Sequence, residues 1–359
     1  MPEQELKPDQ RPDVTVAIPA FNRPEEIGPL LDSILAQDYA SFDVLVVEDC
    51  SPRQAEIRQV VEARAAAFPG RRVRYFSNPK NLGYDGNLRR ILELSEGTFT
   101  LFMGDDDLLK PGALARFGEV IHQHENLGVI LRAYEHVNLA TGEHMEVFRY
   151  FDSDRFFPAG PDTIRTFFRR SVSIAGFTIH TESARALATA QFDGTLLYQV
   201  HLSANVLASR DGYYISDVMT SMRKDHRQRH FFGSAEAERS RFAPNALTPE
   251  HSVNFMRGMF EIARATEERL GLGVYPAIVA DIGNYSYAFL RLHAKKRRVF
   301  AGYVRELAKL GLWKNPYFWG YSGALMVVPS RVLDRGIVLL KKMLPATPRL
   351  GKVYEGKAP

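Results

Sequence analysis

A single cysteine, Cys50, stands among the 359 residues. That excludes an intrachain disulfide and a cysteine-rich zinc centre, and it fits a reducing cytosol. Without a partner base in view, Cys50 reads as a small filler and not as a nucleophile. Long apolar runs are missing too. The nearest approach, Trp313 to Leu344, is broken by Asn315, Pro316, Pro329, Arg331, Asp334 and Arg335, short of the ~18 residues of a spanning helix. The opening residues, Met1 to Arg11, are polar and carry no secretory pattern. No charge of one sign dominates: the formal net charge is +4, too small to signal a nucleic-acid partner. Internal repeats and low-complexity tracts are absent. The first strand is not followed by Gly-x-Gly-x-x-Gly, and no Gly-x-x-x-x-Gly-Lys-Ser/Thr loop occurs, so neither a dinucleotide fold nor a phosphate loop is expected.

With 45% hydrophobic and 25% charged residues, the chain has the make-up of a well-cored globular protein. Its first half alternates between two periods. Val14 to Ile18, Phe42 to Val47, Val73 to Phe76 and Thr98 to Met103 read as strands, while Ile27, Leu30, Leu31, Ile34 and Leu35 recur at helical spacing. Helices are expected through Ile57 to Ala65, from Asn81 to Asn87 onward, and after Pro111. Alternation of this kind predicts an α/β fold with a mainly parallel sheet. Further on, Tyr134 to Asn138 and Met145 to Phe148 predict a hairpin, Ser173 to Ile179 a strand, and Gly194 to Ser209 a helix. From Pro249 the pattern is helical.

A loose tail over residues 1–12, a first domain over 13–230 and a helical extension over 231–359 follow from this division. Within the first domain the change of pattern separates residues 13–125 from 126–230. The segment 313–344 is amphipathic, with Leu325 to Val328 and Ile337 to Leu344 as apolar area and Arg331, Arg335, Lys341 and Lys342 as charge. It suits an anionic membrane surface, or equally packing on the protein or on a second subunit.

Gly104-Asp105-Asp106-Asp107 carries the chemistry. A buried strand delivers three carboxylates at its carboxyl end, the edge where ligands bind in open α/β sheets. Carboxylates this close persist only if solvated or bridged by a cation. A hard divalent ion that also clamps a diphosphate needs one or two such oxygens. The alternative is a helix N-cap before Leu108, a job for one Asp and not three.

Four blocks in this order and spacing, Ile18-Pro19-Ala20-Phe21-Asn22-Arg23, Val46-Val47-Glu48-Asp49-Cys50-Ser51, Asn81-Leu82-Gly83-Tyr84-Asp85-Gly86-Asn87 and Phe102-Met103-Gly104-Asp105-Asp106-Asp107, give the chain a close likeness. It resembles the inverting nucleotide-sugar glycosyltransferases of family two with a GT-A fold, near the abequosyltransferase-like members, over about residues 13–230, which implies a catalytic domain there with its nucleotide-sugar half at 13–125 and its acceptor half at 126–230. The resemblance implies that Pro19, Ala20, Phe21, Asn22, Arg23 and Asp49 hold the nucleotide. Glu48 shares that role, and Asn81, Gly83 and Asn87 lie behind the diphosphate. Asp105 is placed on ribose or metal, Asp106 beside the donor, and Asp107 on Mn2+ or Mg2+. Arg223 neutralises the departing nucleotide and His226 completes the metal shell. An ordinary turn cap for Asp49, and a basic surface loop for Arg223 to His230, remain as alternatives.

The family's general base is an acidic pair at a helix start. Here Tyr198-Gln199 occupies its place, so Asp193 and His201 are the candidates; a helix cap and a helix-surface residue are their plain alternatives. The resemblance implies transfer of a hexosyl or deoxyhexosyl group from a nucleotide-sugar donor to a surface glycan or lipid-linked acceptor. It also implies a cytoplasmic location at the inner face of the membrane; homo-oligomerisation through the C-terminal helices stays open beside membrane contact. Rival readings are a nucleotidyltransferase, and a non-catalytic glycan- or membrane-binding protein with a degenerate transferase fold.

Overall fold

The computed structural model describes residues 11–138, 141–224, 231–343 and 353–354. The first half runs β1 (Val14–Ala20), α1 (Pro24–Leu35), β2 (Phe42–Glu48), α2 (Gln54–Ala67), β3 (Val73–Ser77), α3 (Gly83–Leu94) and β4 (Phe99–Phe102). After it come β5 (Asp107–Leu109), α4 (Ala113–Gln123), β6 (Leu127–Asn138), β7 (His144–Phe148), β8 (Arg155–Phe157), α5 (Pro161–Phe168), β9 (Phe177–His180), α6 (Thr181–Arg185), α7 (Tyr198–Val206) and β10 (Asp211–Lys224). The rest is α8 (Pro249–Leu270), α9 (Val274–Asn284), α10 (Tyr287–Arg291), α11 (Arg297–Lys309), α12 (Pro316–Val327), α13 (Ser330–Met343) and the short β11 (Val353–Tyr354).

The expected parallel ladder runs through β4, β1, β2 and β3. Beyond it the sheet is mixed, because β9 enters antiparallel between β4 and β6, and β10 joins β5, β6 and β8. Alternate residues of β1 serve opposite faces, as a period of two requires. Val14, Val16 and Ile18 pack with α1 and α4 through Leu30, Ile34 and Phe117. Ala17 packs with Leu45, Phe102 and the α3 residues Leu88 and Ile91. Each such leucine or isoleucine contributes about 2 kcal/mol by leaving water. Pro24 begins α1, and Glu25 and Glu26 follow in its first turn, where a helix tolerates proline and favours negative charge.

Three sequence expectations change in detail. Val129 to Leu131 and Tyr134 to Asn138 are one long strand, β6, whose hairpin with β7 pairs Tyr134 with Phe148. The strand expected from Ser173 starts only at Phe177, after a loop closed by Gly176 at φ 83°. The helix expected from Gly194 starts at Tyr198. The helical extension is not merely tethered to the sheet. One apolar cluster runs from Leu88 and Val200 into Phe260, Ile278, Phe300 and Phe318.

Candidate active site

The parallel strands end together, and their last residues make one polar edge. Asp107 opens β5 and is buried. The following helix, α4, is capped by Gly112 at φ 76°. The helix-cap alternative for the aspartate cluster therefore fails, because Asp107 opens a short strand and five residues, 108–112, separate it from α4.

The three carboxylates have different surroundings. Asp105 accepts from the Phe21 amide at 3.0 Å and from Arg23 Nη1 at 2.7 Å. Arg23 also approaches Asp106, at 3.1 Å. Burial opposes the charge on Arg23, but Asp105 and Asp106 outweigh it and hold the guanidinium protonated. Burial pushes Asp105 up to about 6. Asp107 accepts no side-chain hydrogen bond and forms no ion pair among the described residues. Burial first, and then Asp106 and Asp105, lift its carboxyl well above the ordinary range. A buried carboxylate without a partner is costly unless a cation joins it. Asp107 is thus the group that fits Mn2+ or Mg2+. The metal expectation for Asp105 fits less well, since its two oxygens are spent on Phe21 and Arg23. His226 lies outside the described residues. Arg223, buried at the end of β10, donates to the Asp106 carbonyl at 2.6 Å and to the Glu26 carbonyl at 2.7 Å. It braces the cluster from below, and is no surface loop residue.

Asp49 is turned inward. Its oxygens accept from Asn78 Nδ2 at 2.8 Å, from the Leu82 amide at 2.9 Å and from the Gly83 amide at 2.9 Å. Asn78 also donates to Asn87 at 3.0 Å, and Asn87 donates to the Val47 carbonyl at 3.0 Å. Asn81 accepts from the Gly83 amide at 2.9 Å. Asp49, Asn81 and Asn87 therefore shape the loop that starts α3. The turn-cap role once open to Asp49 falls to Glu48, which accepts from the Ser51 amide at 2.9 Å. Buried polar atoms without a hydrogen-bond partner among the described residues remain at the same edge: Asn22 Oδ1, Glu48 Oε2 and Ser51 Oγ. Native structures rarely leave such atoms unsatisfied. The backbone is unusual here as well, with Asn22 at φ 60° and Cys50 at φ 54°. Left-handed conformations of non-glycine residues concentrate at binding edges.

Several residues of the site escaped the sequence reading. Phe231 packs edge-on against Phe21 at 5.6 Å between ring centroids and lies under Arg23 at 5.4 Å. Glu238 accepts from the Tyr84 amide at 2.7 Å and from the Gly233 amide at 2.6 Å. The segment after β10 thus folds back over the Pro19–Arg23 turn and the start of α3. Arg132 is fully buried on β6, with Nη2 3.2 Å from Ser173 Oγ and with Nε and Nη1 lacking a hydrogen-bond partner among the described residues. The pairing of β5, β10 and β6 sets Asp107, Met222 and His136 in one row, and Arg132 shares that sheet face two places from Tyr134. The aromatic pair beside the basic run was the only local signal for Phe231. Nothing local pointed to Glu238.

The two residues expected as the base are committed elsewhere. Asp193 accepts from Arg89 through both oxygens, at 2.5 and 2.9 Å. His201 is buried in α7, with Nε2 3.2 Å from the Leu187 carbonyl and Nδ1 3.3 Å from Asn205. It lines a cavity of about 230 Å³ with Phe192 and Arg269, away from the aspartate cluster's contacts. Burial lowers its pKa to about 4, a weak base. Neither is the helix cap or the surface residue its plain alternative foresaw. Asp85, reaching from α3, caps α7 through the Leu196 and Tyr198 amides at 2.8 and 2.9 Å.

Burial pushes Asp85 up to about 7. The folded state therefore keeps a proton that the unfolded state has lost, and stability falls as pH rises from about 4 to about 7. Asp85→Asn should remove this fall, on the order of 4 kcal/mol across the window. Urea midpoints of both proteins across that window check it; parallel slopes would sink the assignment.

Residues 15–174 match Glycosyl transferase family 2. The chain is 25% identical over 163 residues to the putative colanic acid biosynthesis glycosyl transferase WcaA of Escherichia coli K12, covering 45% of this chain and 54% of that one. It is 31% identical over 105 residues to the GalNAc(5)-diNAcBac-PP-undecaprenol beta-1,3-glucosyltransferase of Campylobacter jejuni, covering 29% and 33%. The chain spans about half or less of the length of the curated relatives it matches. Among solved structures, Staphylococcus aureus TarS in complex with UDP-GlcNAc aligns with TM-score 0.58 and 20% identity, over 83% of this chain and 80% of that one. That likeness concerns the fold. With the four strand-end blocks gathered on one edge inside the matched segment, residues 15–174 are similar to glycosyl transferase family 2, and the chain has a GT-A fold with a C-terminal helical extension.

Proposed function

We propose that this protein transfers a sugar from a nucleotide-sugar donor to a hydroxyl of a bacterial surface glycan or its lipid-linked precursor, inverting the anomeric carbon. The observation that carries this is the strand-end edge. It combines one unpaired buried carboxylate, Asp107, with orphaned polar atoms on Asn22, Glu48 and Ser51. These are the needs of a ligand with a charged diphosphate at one end and a hydrogen-bonding base at the other. The relatives' names, which include colanic acid and undecaprenol-linked glycan synthesis, support the acceptor class.

In this reading the Asn22 side chain, Glu48 and Ser51 hold base and ribose. Asp49, Asn81 and Asn87 act by fixing the loop at Gly83, whose positive φ of 78° lets Glu238 and Ala235 pack against the start of α3. Asp107 would hold Mn2+ or Mg2+. A divalent ion there would supply Lewis-acid stabilisation of the leaving diphosphate. Arg23 and Arg223 keep Asp105 and Asp106 in place, and Phe231 shields the turn from water. The acceptor oxygen forms its bond to the anomeric carbon as the bond to the diphosphate breaks, and its proton passes to a base. A screen of nucleotide sugars for metal-dependent transfer or hydrolysis, read by mass spectrometry, tests the reading. Release of pyrophosphate from a nucleoside triphosphate, with no sugar transferred, would favour a nucleotidyltransferase instead.

The base assignment has its own test. If Asp193 only pairs with Arg89, Asp193→Asn and Arg89→Met should each lower stability by about 1 kcal/mol, less than additively when combined. Transfer at saturating acceptor should stay within about twofold of wild type. A loss of transfer confined to Asp193→Asn, with donor binding intact, would restore Asp193 as the base.

A further inference from the structure

The C-terminal helices carry a surface that the sugar-transfer reading does not use. From Pro316 to Pro329 the sequence contains no charged residue. Its helix, α12, is capped by Asn315, which accepts from the Phe318 amide at 3.1 Å. Phe318, Ser322 and Leu325 face inward and are buried. Exposed residues recur at Pro316, Trp319, Gly320, Gly323 and Val327, the spacing of one continuous helical stripe. A Cβ added at Gly320 or Gly323 would meet no atom within 4 Å. The stripe is therefore open, and its small residues leave the neighbouring rings unobstructed.

Of the eleven large apolar side chains exposed among the described residues, four lie within the stretch 313–332. Trp313 is 57% exposed, Trp319 49%, Val327 74% and Val332 56%. The two tryptophans are joined, since Trp319 Nε1 donates to the Trp313 carbonyl at 2.8 Å. They are also the only two in the chain. Positive charge surrounds them. Lys314 lies 5.4 Å from the Trp313 ring centroid, and Arg331 and Arg335 are exposed without a partner among the described residues. The sole acid of the region, Asp334, is taken by Tyr287 at 2.7 Å and Arg291 at 3.2 Å.

We propose that the α12 stripe, with Trp313 and the start of α13, is a peripheral docking surface for an anionic lipid bilayer. Tryptophan prefers the headgroup level, where its ring is apolar and its N–H wet. An uncharged stripe rimmed by lysine and arginine meets both parts of an anionic surface, acyl chains and phosphates. At 12 residues α12 is about 18 Å long, too short to cross a bilayer, so it lies in the plane. No helix among the described residues is long and apolar enough to span a membrane. The occupant is a membrane and not a second copy because the rim is of one sign. Two copies meeting there would bring Lys314, Arg331 and Arg335 against one another. The sequence reading placed Leu325 on this surface, and the structure corrects that: Leu325 is buried and belongs to the core. The side chains of Ile337 to Met343, and all of Leu344, lie outside the described residues.

Both tryptophans sit in the patch, so intrinsic tryptophan fluorescence reports on it alone. Full-length protein mixed with phosphatidylglycerol–phosphatidylethanolamine vesicles should show a blue-shifted emission and float with the vesicles. Phosphatidylcholine vesicles should bind at least ~10-fold more weakly, and removing Arg331 or Arg335 should cost about fivefold each. Val327→Glu, at the most exposed position, should weaken flotation at least ~10-fold with an unchanged circular dichroism spectrum. Trp319→Ser should do the same and remove part of the shift. Absence of both shift and flotation overturns the proposal. So does wild-type binding by Val327→Glu, or a blue shift that depends on protein concentration without vesicles, which would assign the surface to self-association.

Discussion

Asp107→Asn is expected to cut turnover at least ~100-fold while leaving the folded protein as stable as before, or more so. The loss follows if this carboxylate anchors charge stabilisation of the leaving diphosphate, since single preorganised electrostatic groups are worth that much. The opposite sign in stability follows from burial. Asp107 is 4% exposed and no described residue hydrogen-bonds or ion-pairs with it; Arg132 and Arg23 offset its burial only in part, so the native state bears a cost that asparagine lacks. Function and stability trade off in this way at many sites. Asp105→Asn should behave differently. It removes the main partner of Arg23, 2.7 Å away, and leaves a half-buried cation less compensated, so both donor binding and stability should fall. Donor turnover at saturating Mn2+ or Mg2+, measured with thermal unfolding of both variants, separates the two. Wild-type activity in both would end the metal-site reading.

Gly194→Ala should produce the largest loss of stability, about 2–4 kcal/mol. Gly194 has φ 82°, and a Cβ there would stand 2.1 Å from the Ala237 carbonyl oxygen. The neighbour is backbone and cannot rotate away. That carbonyl precedes Glu238, which holds the start of α3, so the substitution should also weaken donor binding. Gly302 in α11 is the control. A Cβ there meets nothing within 4 Å, and Gly302→Ala in a helix interior should stabilise by roughly 0.5–1 kcal/mol. Urea unfolding midpoints test both. Equal effects at the two positions would mean the 231–242 segment does not press on Gly194.

What was legible in the sequence was what short range decides. Period-two apolar runs set the strands β1 to β4, period-3.6 runs set α1 and α3, and a strand can end only where its polar residues begin. Asp105 to Asp107, Glu48 to Ser51 and Pro19 to Arg23 therefore had to share one sheet edge once the strands paired in parallel. Within those blocks, sequence could not say which carboxylate is free, because Asp105 and Asp107 differ only in what arrives from elsewhere. Arg23 comes to Asp105 from 82 residues away, whereas Arg132 and Arg23 act on Asp107 only as charges at a distance, with no hydrogen bond or ion pair among the described residues. Asp193 and His201 looked like bases for the same reason: a helix start was visible, but Arg89, 104 residues earlier, was not. The α7 cap comes from Asp85, 113 residues from Tyr198, and Glu238 reaches the Tyr84 amide across 154 residues. Such contacts leave no periodicity, since burial, charge pairing and backbone satisfaction at these points are settled only when distant segments meet. Local pattern determined the strands, the helices and the edge where a ligand binds; tertiary structure alone decided which polar groups on that edge were satisfied and which were left open.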